Sequence, residues 1–505
     1  MKKVLFAAIM VFGVAVGPAA AQPPEIPSLI SPVTGKNGAE FAKPAVLGVR
    51  HINYNSALAR SSLSAGSPVR VPLPDGTTVI LNFEKRKRNP SGSMTWVGQL
   101  AGASQHYKAI ITDDGEHVFG RILTPDGEYL LRTVSGVQEL VNPRTAGMEV
   151  LSYEYDEAMP PARSSRSADP RAEKSTPVYE NAGPTDVATI DVLLAYSTGL
   201  ATELGAGLQA RLDYLIAVAN QAYEDSGIYQ RLRVVHTVEV AYSDTESNST
   251  ALYALTPAFT TPASLSDLPT LRNTYGADLV ALIRRYQYPE HSGCGVAWVN
   301  GFNNAGTVVG DDDYGYSVTS DGLDYIDGGP QYSFCSDLTL AHELGHNMGS
   351  THDRDHTSTN PVFSYSYGHG FDQVFGTVMS YYNPEVTLFS TPNIDCDDQL
   401  PCGIADPDPD AADNVRSINN VRFEVAAFRD TVVPEGCTPE ETLTLENASV
   451  PGVVTETSCA IEAGPSYVVT STADVTFNAN ESITLHPGFR VETGGQFAAN
   501  VTPAP

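Results

Sequence analysis

The sequence predicts a mixed α/β domain that lies between two β-rich segments. Hairpin signals cluster before residue 150, strand and helix patterns alternate from Thr189 onward, and the tail after Cys437 holds short strand-like pieces without a helical period. Strands that alternate with helices are typical of an α/β sandwich with a mixed, twisted sheet. The 505 residues are enough for about three domains, which agrees with this division.

The first 21 residues have the pattern of a secretory signal peptide. Lys2 and Lys3 precede an apolar run from Val4 to Val16, and the small residues Ala19 to Ala21 offer a cleavage site. The alternative, a membrane anchor, is disfavoured because the run is short for a bilayer span. No later apolar run reaches that length, so we expect a protein without a membrane span that is secreted to the extracellular space, the periplasm or the cell surface.

Six cysteines fit an oxidising compartment. Several pairings are open to six cysteines, and none has the spacing of a zinc knuckle. We expect a local set because each pair then lies inside one proposed segment. The expected pairs are Cys294–Cys335, Cys396–Cys402 and Cys437–Cys459.

Charge is distributed unevenly along the chain. Residues 22–185 contain 17 basic and 17 acidic residues, whereas residues 186–505 contain 11 basic and 42 acidic residues, a net charge of −31. Lys2 and Lys3 bring the total to −29. This acidity argues against nucleic-acid binding and favours solubility, including in saline or calcium-rich surroundings.

Residues 22–156 are predicted to be β-rich. Three Asp-Gly pairs, at residues 75–76, 114–115 and 126–127, each stand between alternating apolar segments, which is the pattern of tight hairpins. The segment therefore has the signals of several β-hairpins.

Residues 157–186 are predicted to be an exposed linker. Their composition changes to Pro, Ser, Ala, Arg and Lys with almost no apolar period. Proteases favour such exposed stretches, and a passive tether is the alternative that the sequence leaves open. The candidate processing points are Arg163, Arg166, Arg171 and Lys174.

Residues 187–434 are predicted to form the α/β domain, and residues 437–505 a β-rich, solenoid-like module. "TIDVLLAYS" from Thr189 is a buried strand, and Leu208 to Tyr223 has a helical apolar period. "LRVVHTVEVAY" and "GADLVALIRRY" are further strands. A last amphipathic helix is expected near Asn414 to Arg429.

Histidines cluster in the stretch Leu340–Asp355, "LAHELGHNMGSTHDRD". His342 and His346 are four positions apart, so a helix presents both imidazoles on one face. Gly349 can adopt the left-handed conformation that ends a helix and turns the chain back, which brings His352 to the same point. Three neutral imidazoles leave a tetrahedral Zn²⁺ one open position, the arrangement of a catalytic zinc site.

Glu343 lies beside the first histidine and is the candidate general base. A bound zinc polarises a carbonyl and lowers the pKa of water to about 7. Glu343 can take the proton from that water and deliver it to the leaving amine. Peptide-bond hydrolysis needs these parts and no organic cofactor. Ser336 or Asp337 is expected to cap the helix that carries them.

"HELGHNMGSTHD" resembles the zinc-binding pattern HExxHxxGxxH of metzincin metalloproteases, and the following Asp353 resembles the adamalysin/reprolysin branch. The resemblance implies a methionine turn beneath the metal, which "GTVMSYYNP" supplies at Met379 as a packing support. Gly349 and Asp353 are expected to be structural supports as well. The resemblance further implies a strand at the rim of the cleft that pairs with extended substrate. That strand comprises Gly295, Val296, Ala297 and Trp298.

Tyr381, two residues after the methionine, departs from the reprolysin pattern and resembles astacins and serralysins. That resemblance implies a hydroxyl that approaches the zinc or stabilises the oxyanion. The alternative is an aromatic wall of the S1′ pocket, which is expected between Tyr381 and Thr391.

Residues 22–185 resemble a bacterial metalloprotease propeptide, notably at "FEKRKRNPSGSMTWVGQL". No cysteine precedes Cys294, so the thiolate plug that several metzincin proenzymes use is excluded. If this segment inhibits the enzyme, a carboxylate or simple steric cover must do so. The alternative is that the segment only assists folding.

The expected function is a secreted zinc metalloendopeptidase that acts on protein or peptide substrates, with its own propeptide as inhibitor. The acidic stretches Asp311–Asp313 and Asp395–Asp413 also suit Ca²⁺, but neither matches an EF-hand loop, and solvated acidic loops are the alternative. The rival class is a non-catalytic surface or adhesion protein that keeps the fold, against which Glu343 argues. A metal-storage or structural zinc protein is disfavoured by the open fourth position.

Overall fold

The computed structural model describes residues 26–33, 48–61, 63–150, 156–161, 183–325, 332–397, 400–432, 442–446 and 448–501. Within these ranges, no helix has the length and apolar character needed to cross a membrane. The predicted signal peptide lies outside the described residues, as does most of the predicted linker.

The N-terminal part is an antiparallel barrel of nine strands. The strands are β1 (Ile30–Pro32), β2 (Val49–Tyr54), β3 (Pro68–Pro72), β4 (Thr78–Arg88), β5 (Met94–Leu100), β6 (Lys108–Asp113), β7 (Val118–Thr124), β8 (Gly127–Val134) and β9 (Val137–Val141), with the short helix α1 (Ser56–Ala59) after β2. Their order is β1-β2-β9-β8-β7-β6-β5-β4-β3. Hydrogen bonds from Leu29 N–H to the Arg70 carbonyl and from Arg70 N–H to the Pro27 carbonyl join its two ends.

The barrel is filled by apolar side chains that alternate with polar ones along each strand. Trp96, Leu81, Ile111 and Leu131 are fully or almost fully buried in this core. The three predicted Asp-Gly hairpins connect β3 to β4, β6 to β7 and β7 to β8. The β-rich prediction for this segment is therefore correct in its strands and turns.

The α/β domain is built on a six-stranded mixed sheet, as the sequence predicted. The strands are β11 (Glu157–Ala158), β12 (Ala188–Ser197), β13 (Gln230–Val240), β14 (Leu279–Arg285), β15 (Gly295–Trp298) and β16 (Tyr316–Asp321). Their order is β11-β15-β16-β14-β12-β13. Only β15 and β16 pair antiparallel, and the other neighbours are parallel.

Helices cover both faces of this sheet. They are α2 (Thr198–Leu204), α3 (Leu208–Ser226), α4 (Asn248–Leu255), α5 (Leu268–Tyr275), α6 (Thr339–Asn347) and α7 (Asn414–Val425), with short 3₁₀ turns at Gly205–Gly207, Ala263–Leu265 and Asp312–Tyr314. Ile190, Val192 and Leu194 of β12 pack with α3, α6 and α7, whereas Leu193 and Ala195 pack with α4 and α5. The alternation of apolar side chains along β12 thus supplies the cores of both layers.

The barrel packs directly on the α/β domain. Ile110 of β6 and Phe119 of β7 belong to the same apolar cluster as Tyr214 and Leu215 of α3. Beside them, Lys108 Nζ lies 2.7 Å from a carboxylate oxygen of Asp225 on α3.

Small sheets complete the domain. They are formed by β10 (Met148–Val150) with β17 (Leu323–Tyr325) and β18 (Tyr332–Phe334), by β19 (Gly370–Phe371) with β20 (Phe375–Gly376), and by β21 (Asp395–Asp397) with β22 (Leu400–Pro401). The segment after the barrel thus pairs with the α/β domain twice, first through β10 and then through β11.

This second pairing corrects one prediction. The exposed linker was predicted to begin at Glu157, but Glu157 and Ala158 form β11 and pair with the rim strand β15. This pairing could not be predicted from local composition, because the hydrogen-bonding groups belong to the edge of a strand that is distant in sequence.

The C-terminal part stacks parallel strands. They are β23 (Thr442–Leu445), β25 (Val453–Ala463), β27 (Asp474–Leu485) and β29 (Gln496–Val501) in one sheet, and β24 (Ser449–Val450), β26 (Val468–Val469) and β28 (Arg490–Val491) in the other. Ile461, Val469, Val475 and Phe477 are buried between the two sheets.

Two of the three expected disulfides are present, Cys294–Cys335 and Cys396–Cys402. The first connects the start of β15 to the segment that leads into α6. The expected Cys437–Cys459 pair lies outside the residues whose side chains are described.

Candidate metal centre and active site

Helix α6 places the two HExxH histidines in the interior of the domain. Leu340, Ala341 and Leu344 are fully buried against the core that α3 shares, so the helix cannot rotate without exposing them. The opposite face then points His342 and His346 into the cleft, where they are 2% exposed and fully buried, respectively.

The predicted cap of α6 is present only in part, because the Ser336 hydroxyl accepts a hydrogen bond from Leu338 N–H at 3.2 Å just before the helix. Leu338 occupies the N-cap position and makes no side-chain cap hydrogen bond. Asp337 is engaged elsewhere, because its carboxylate accepts a hydrogen bond from Arg211 at 2.6 Å and another from Tyr214 at 2.6 Å. The buried Arg211 guanidinium needs carboxylate partners, and this need outweighs capping.

Gly349 turns the chain as predicted. It has φ +82°, in the left-handed region, and its N–H donates to the carbonyl of His346 at 2.9 Å. A Cβ at this position would lie 2.6 Å from the side chain of Val362, so the turn also needs the absence of a side chain. The turn returns His352 to the cleft, where it is 2% exposed.

The three imidazoles converge through their Nε2 atoms. His352 Nε2 lies 3.2 Å from His342 Nε2 and 3.1 Å from His346 Nε2. Nδ1 of His342 donates to the Val378 carbonyl at 2.7 Å, and Nδ1 of His346 donates to the Ser350 carbonyl at 2.9 Å. A carbonyl only accepts, so these rings carry their proton on Nδ1 and aim an Nε2 lone pair at the common point.

This arrangement fits a zinc ion. Facing lone pairs repel one another unless a cation lies between them. Ligand atoms that lie about 2.0–2.1 Å from a tetrahedral zinc are about 3.3 Å apart, close to the spacings found here. The fourth group of the cluster is the Asp156 carboxylate, and the ligand atoms of all four residues lie within 4.8 Å of one another.

Glu343 lies beside this centre as a buried carboxylate. Neither of its oxygens has a hydrogen-bond partner among the described residues. Burial raises the pKa of Glu343 well above its ordinary value, and the negative Asp156 raises it further. Gly295 of β15 packs against it so closely that a Cβ there would lie 2.1 Å from Glu343 Oε1.

Met379 and Asp353 lie where the sequence predicted supports. Met379 is fully buried against Gly345 of α6, where a Cβ would lie 2.4 Å from its sulfur. Asp353 accepts hydrogen bonds from the Ser380 hydroxyl at 2.9 Å and from Tyr381 N–H at 3.0 Å. Asp353 therefore braces the turn that follows Met379.

Tyr381 reaches the centre with its hydroxyl. That oxygen lies 2.9 Å from His352 Nε2 and donates to Asp156 Oδ1 at 2.6 Å. Burial and then the neighbouring Asp156 raise the pKa of Tyr381, so the hydroxyl is protonated and acts as a donor. Its position is closer to the metal ligands than a wall residue of a pocket requires.

Asp156 is the residue that sequence reasoning missed. It ends the predicted propeptide, and its carboxylate is buried among the three histidines. Burial opposes its charge, but His352 and the hydrogen bonds from the other imidazoles hold its pKa well below the ordinary value. The only signal in the sequence is the Asp-Glu pair in "YDEAMP", just before the composition changes.

The acidic loops receive no support as calcium sites. Asp311 accepts from Gly301 N–H at 2.6 Å, and Asp312 pairs with Arg429 at 2.9 Å. In the described ranges, the histidine–aspartate cluster is the only group of three or more such side chains close enough to share an ion.

The fold and the centre together define a class, a metalloprotease with a zinc site on an α/β sheet. Comparison with known proteins agrees with this class. Residues 186–407 match the family described as metallo-peptidase family M12B, reprolysin-like. Residues 32–142 match a family described as the BamI lipocalin-like domain, which coincides with the barrel.

Three relatives carry the name peptidyl-Asp metalloendopeptidase. The one from Pseudomonas aeruginosa is 32% identical over 276 residues, which cover 50% of this chain and 42% of that protein. Those from Xanthomonas campestris pv. campestris and Stenotrophomonas maltophilia are each 26% identical and cover 70% and 83% of this chain. The alignments span less than half of the first relative but 80% and 97% of the other two.

Residues 186–407 are therefore similar to the reprolysin-like metallopeptidases, and the chain is similar to proteins named metalloendopeptidase.

Proposed function

We propose that the chain is an exported zinc metalloendopeptidase, made as a proenzyme, that hydrolyses peptide bonds at the three-histidine centre. The convergence of three imidazoles beside the unpartnered carboxylate of Glu343 carries this proposal. In this account His342, His346 and His352 hold the zinc. The proposed parts of the chain are a signal peptide (1–21), a propeptide (22–156), a processing region (157–186), the protease domain (187–434) and a C-terminal module (437–505).

The chemistry divides between the metal and the chain. When bound, zinc supplies a Lewis acid and a water of lowered pKa. Glu343 accepts the proton of the attacking water and passes it to the leaving amine. Tyr381 donates its hydroxyl hydrogen bond to the oxyanion that forms on the attacked carbonyl.

Strand β15 positions the substrate. Val296, Ala297 and Trp298 become the edge of the sheet once β11 leaves, and the backbone N–H groups of Ala297 and Val299, which are bonded to residues 156–158 here, are then free. An extended peptide can add to such an edge as one more strand, which fixes its register next to the metal centre. The substrates are therefore peptides in extended conformation.

The names of the relatives suggest a preference for bonds next to aspartate. We extend that preference to this chain as part of the proposal, since two of them align over most of their length. A proteome-derived peptide library digested by the trimmed enzyme tests it by mass spectrometry. Aspartate should be enriched on one side of the cleaved bond. Equal enrichment of all residues at that position would contradict the proposed preference.

The proposed function is tested by comparing zinc content with hydrolysis. Glu343→Ala should keep one zinc per chain and lose at least about a hundredfold in peptide hydrolysis, since a general base contributes that much. His346→Ala should lose both zinc and hydrolysis. If the trimmed, zinc-loaded wild-type protein hydrolysed none of many varied peptides, the non-catalytic surface protein would become the better account.

A further inference from the structure

We propose that Asp156 and Glu157 form a two-point latch that keeps the proenzyme inactive. Asp156 occupies the fourth position at the metal, and Glu157 holds His352 from the other side of its ring. This inference rests on the proposed function in assigning zinc to the centre. The propeptide has no cysteine, and the sequence did not show which carboxylate could act in its place. Asp156 is that carboxylate in this proposal.

The geometry of Asp156 is that of a ligand. Its Oδ2 lies 3.3 Å from His342 Nε2, and its Oδ1 lies 2.8 Å from His352 Nε2 and 3.8 Å from His346 Nε2. The carboxylate oxygens therefore face all three imidazoles at 2.8–3.8 Å, a range that includes the separation of about 3.3 Å expected between two ligand atoms of one zinc ion. A ligand in this position replaces the water that hydrolysis requires.

Tyr381 holds the same carboxylate. Its hydroxyl donates to Asp156 Oδ1 at 2.6 Å, a short hydrogen bond to a charged acceptor. In the latched state this hydroxyl is therefore occupied. Departure of Asp156 opens the metal position and at the same time frees the donor that we assign to the oxyanion.

Glu157 supplies the second point of the latch. Its Oε1 accepts from the backbone N–H of His352 at 3.1 Å and lies 3.2 Å from His352 Nδ1. The Thr357 hydroxyl donates to the same carboxylate, with Oε2 at 2.7 Å. His342 and His346 find their Nδ1 partners on backbone carbonyls of the protease domain, whereas His352 binds a partner from the prosegment.

The backbone between these points covers the substrate edge. Ala297 N–H donates to the Asp156 carbonyl at 3.0 Å, and Val299 N–H donates to the Ala158 carbonyl at 2.8 Å. These are the donors that an added substrate strand would use. The latch thus blocks the metal and the strand edge together.

The segment is placed as an inhibitor and not as a substrate. A peptide awaiting hydrolysis would bring a backbone carbonyl to the metal, but here a side-chain carboxylate lies there, and the Asp156 carbonyl is bonded to Ala297. The Asp156–Glu157 peptide bond is therefore not positioned for attack by way of Glu343. Removal of the prosegment requires a cut elsewhere, and the linker 162–186 follows directly.

The latch is tested in a background that cannot turn over. The full-length Glu343→Ala chain is loaded with Co²⁺ in place of zinc, and visible absorption and the affinity for acetohydroxamate, a small metal chelator, are measured. Asp156→Asn and Asp156→Ala should alter the Co²⁺ spectrum and tighten acetohydroxamate binding by at least about tenfold, or 1.4 kcal/mol. Asp126→Asn, the same change on an exposed barrel turn, should alter neither.

Glu157→Gln separates the second point from the first. It should leave the Co²⁺ stoichiometry at one and give an intermediate increase in acetohydroxamate affinity, because Asp156 remains but its neighbour no longer anchors His352. Unchanged thermal unfolding of the variants shows that each remains folded, and Asp156→Asn preserves the side-chain shape if Asp156→Ala does not fold.

Spectra and affinities that are identical in the Asp156 variants and the parent would overturn the latch, as would a full-length parent that fails to bind Co²⁺. These measurements need no hydrolysis, so they stand apart from the test of protease activity. A chain that proved inactive on every peptide could still show the latch, and an active protease could still lack it.

Discussion

At the scale of single residues, the position of Glu343 depends on the absence of a side chain at residue 295. A methyl group there would lie 2.1 Å from Glu343 Oε1 and would have to displace it, because the carboxylate is fully buried. Gly295 therefore acts on catalysis through the general base.

Gly295→Ala should lower the kcat of the trimmed enzyme by at least about tenfold, since a misplaced base loses much of its contribution. Zinc content should be unchanged, because the three atoms nearest to a Cβ at residue 295 all belong to Glu343. Steady-state kinetics with a zinc measurement check this. Wild-type kcat in the variant would show that Glu343 adapts and that its position is not set by β15.

Tyr381→Phe separates the two roles considered for that tyrosine. If the hydroxyl stabilises the oxyanion, kcat/KM of the trimmed enzyme should fall by about a hundredfold. KM should change little, since the ring that borders the cleft is retained. An unchanged kcat/KM would leave Tyr381 only as a pocket wall and a holder of Asp156 in the proenzyme.

At the scale of residues, the sequence predicts positions that depend on a local pattern. His342, His346 and Gly349 could be placed because helical periodicity and one left-handed turn fix their relation within a few residues. Asp337 and Asp156 could not be assigned in this way. Their partners, Arg211 and His352, lie 126 and 196 positions away, and only the tertiary fold brings them together.

At the scale of elements, the Cys294–Cys335 bridge joins the rim strand β15 to the segment before α6. It therefore links the element that binds substrate to the element that carries the metal ligands. The other bridge, Cys396–Cys402, closes only a short surface hairpin.

Removing each bridge should have unequal effects on stability. The sequence separations are 41 and 6 residues. Loop-closure entropy then predicts a loss of about 4 kcal/mol for Cys294→Ala/Cys335→Ala and about 2 kcal/mol for Cys396→Ala/Cys402→Ala. Urea unfolding monitored by circular dichroism measures both. Equal losses of unfolding free energy would contradict the assumption that each bridge stabilises the fold by restricting the unfolded chain.

Helices and strands with a clear hydrophobic periodicity could be predicted from the sequence. A strand that forms only because it pairs with a distant strand could not. The alternating segments between Asp-Gly turns and the apolar stripe of α3 are strong local signals. Strand β11 has only two residues and no apolar alternation. It exists because the edge of β15 accepts a parallel neighbour, which composition cannot reveal.

At the scale of the whole molecule, the barrel docks on α3 through an apolar centre and a buried ion pair. Lys108 has a side chain that is 9% exposed and lies 2.7 Å from Asp225 and 2.9 Å from Glu84. Docking positions the end of the propeptide over the cleft, so the barrel and the latch act as one unit.

Lys108→Met should destabilise the docked chain by about 2 kcal/mol, because it leaves the largely buried Asp225 carboxylate without its cation. The double variant Lys108→Met/Asp225→Asn should recover part of this loss. The exposed pair Arg416–Asp406 offers a control, and its removal should cost at most about 1 kcal/mol. The first urea transition of the full chain reports these values. A Lys108 variant as stable as this control would mean that the ion pair contributes little to docking.

The three-part organisation was visible in the sequence, but the relation between the parts was not. Composition and hairpin signals separate the barrel from the α/β domain, and the acidic residues are concentrated after the barrel. That Phe119 and Ile110 of the barrel complete a core on α3 follows from shape complementarity between distant surfaces. The sequence pattern of neither surface predicts which surface it packs against.

The central claim is that this chain is a zinc protease whose propeptide holds it inactive. The most direct measurement is casein hydrolysis by the purified protein, with and without a zinc chelator, alongside intact mass over the same time course. The account predicts chelator-sensitive hydrolysis that appears together with a species trimmed within residues 157–186, and none from Glu343→Ala. Hydrolysis that persists in the chelator, or a trimmed and zinc-loaded protein that remains inert, would contradict it.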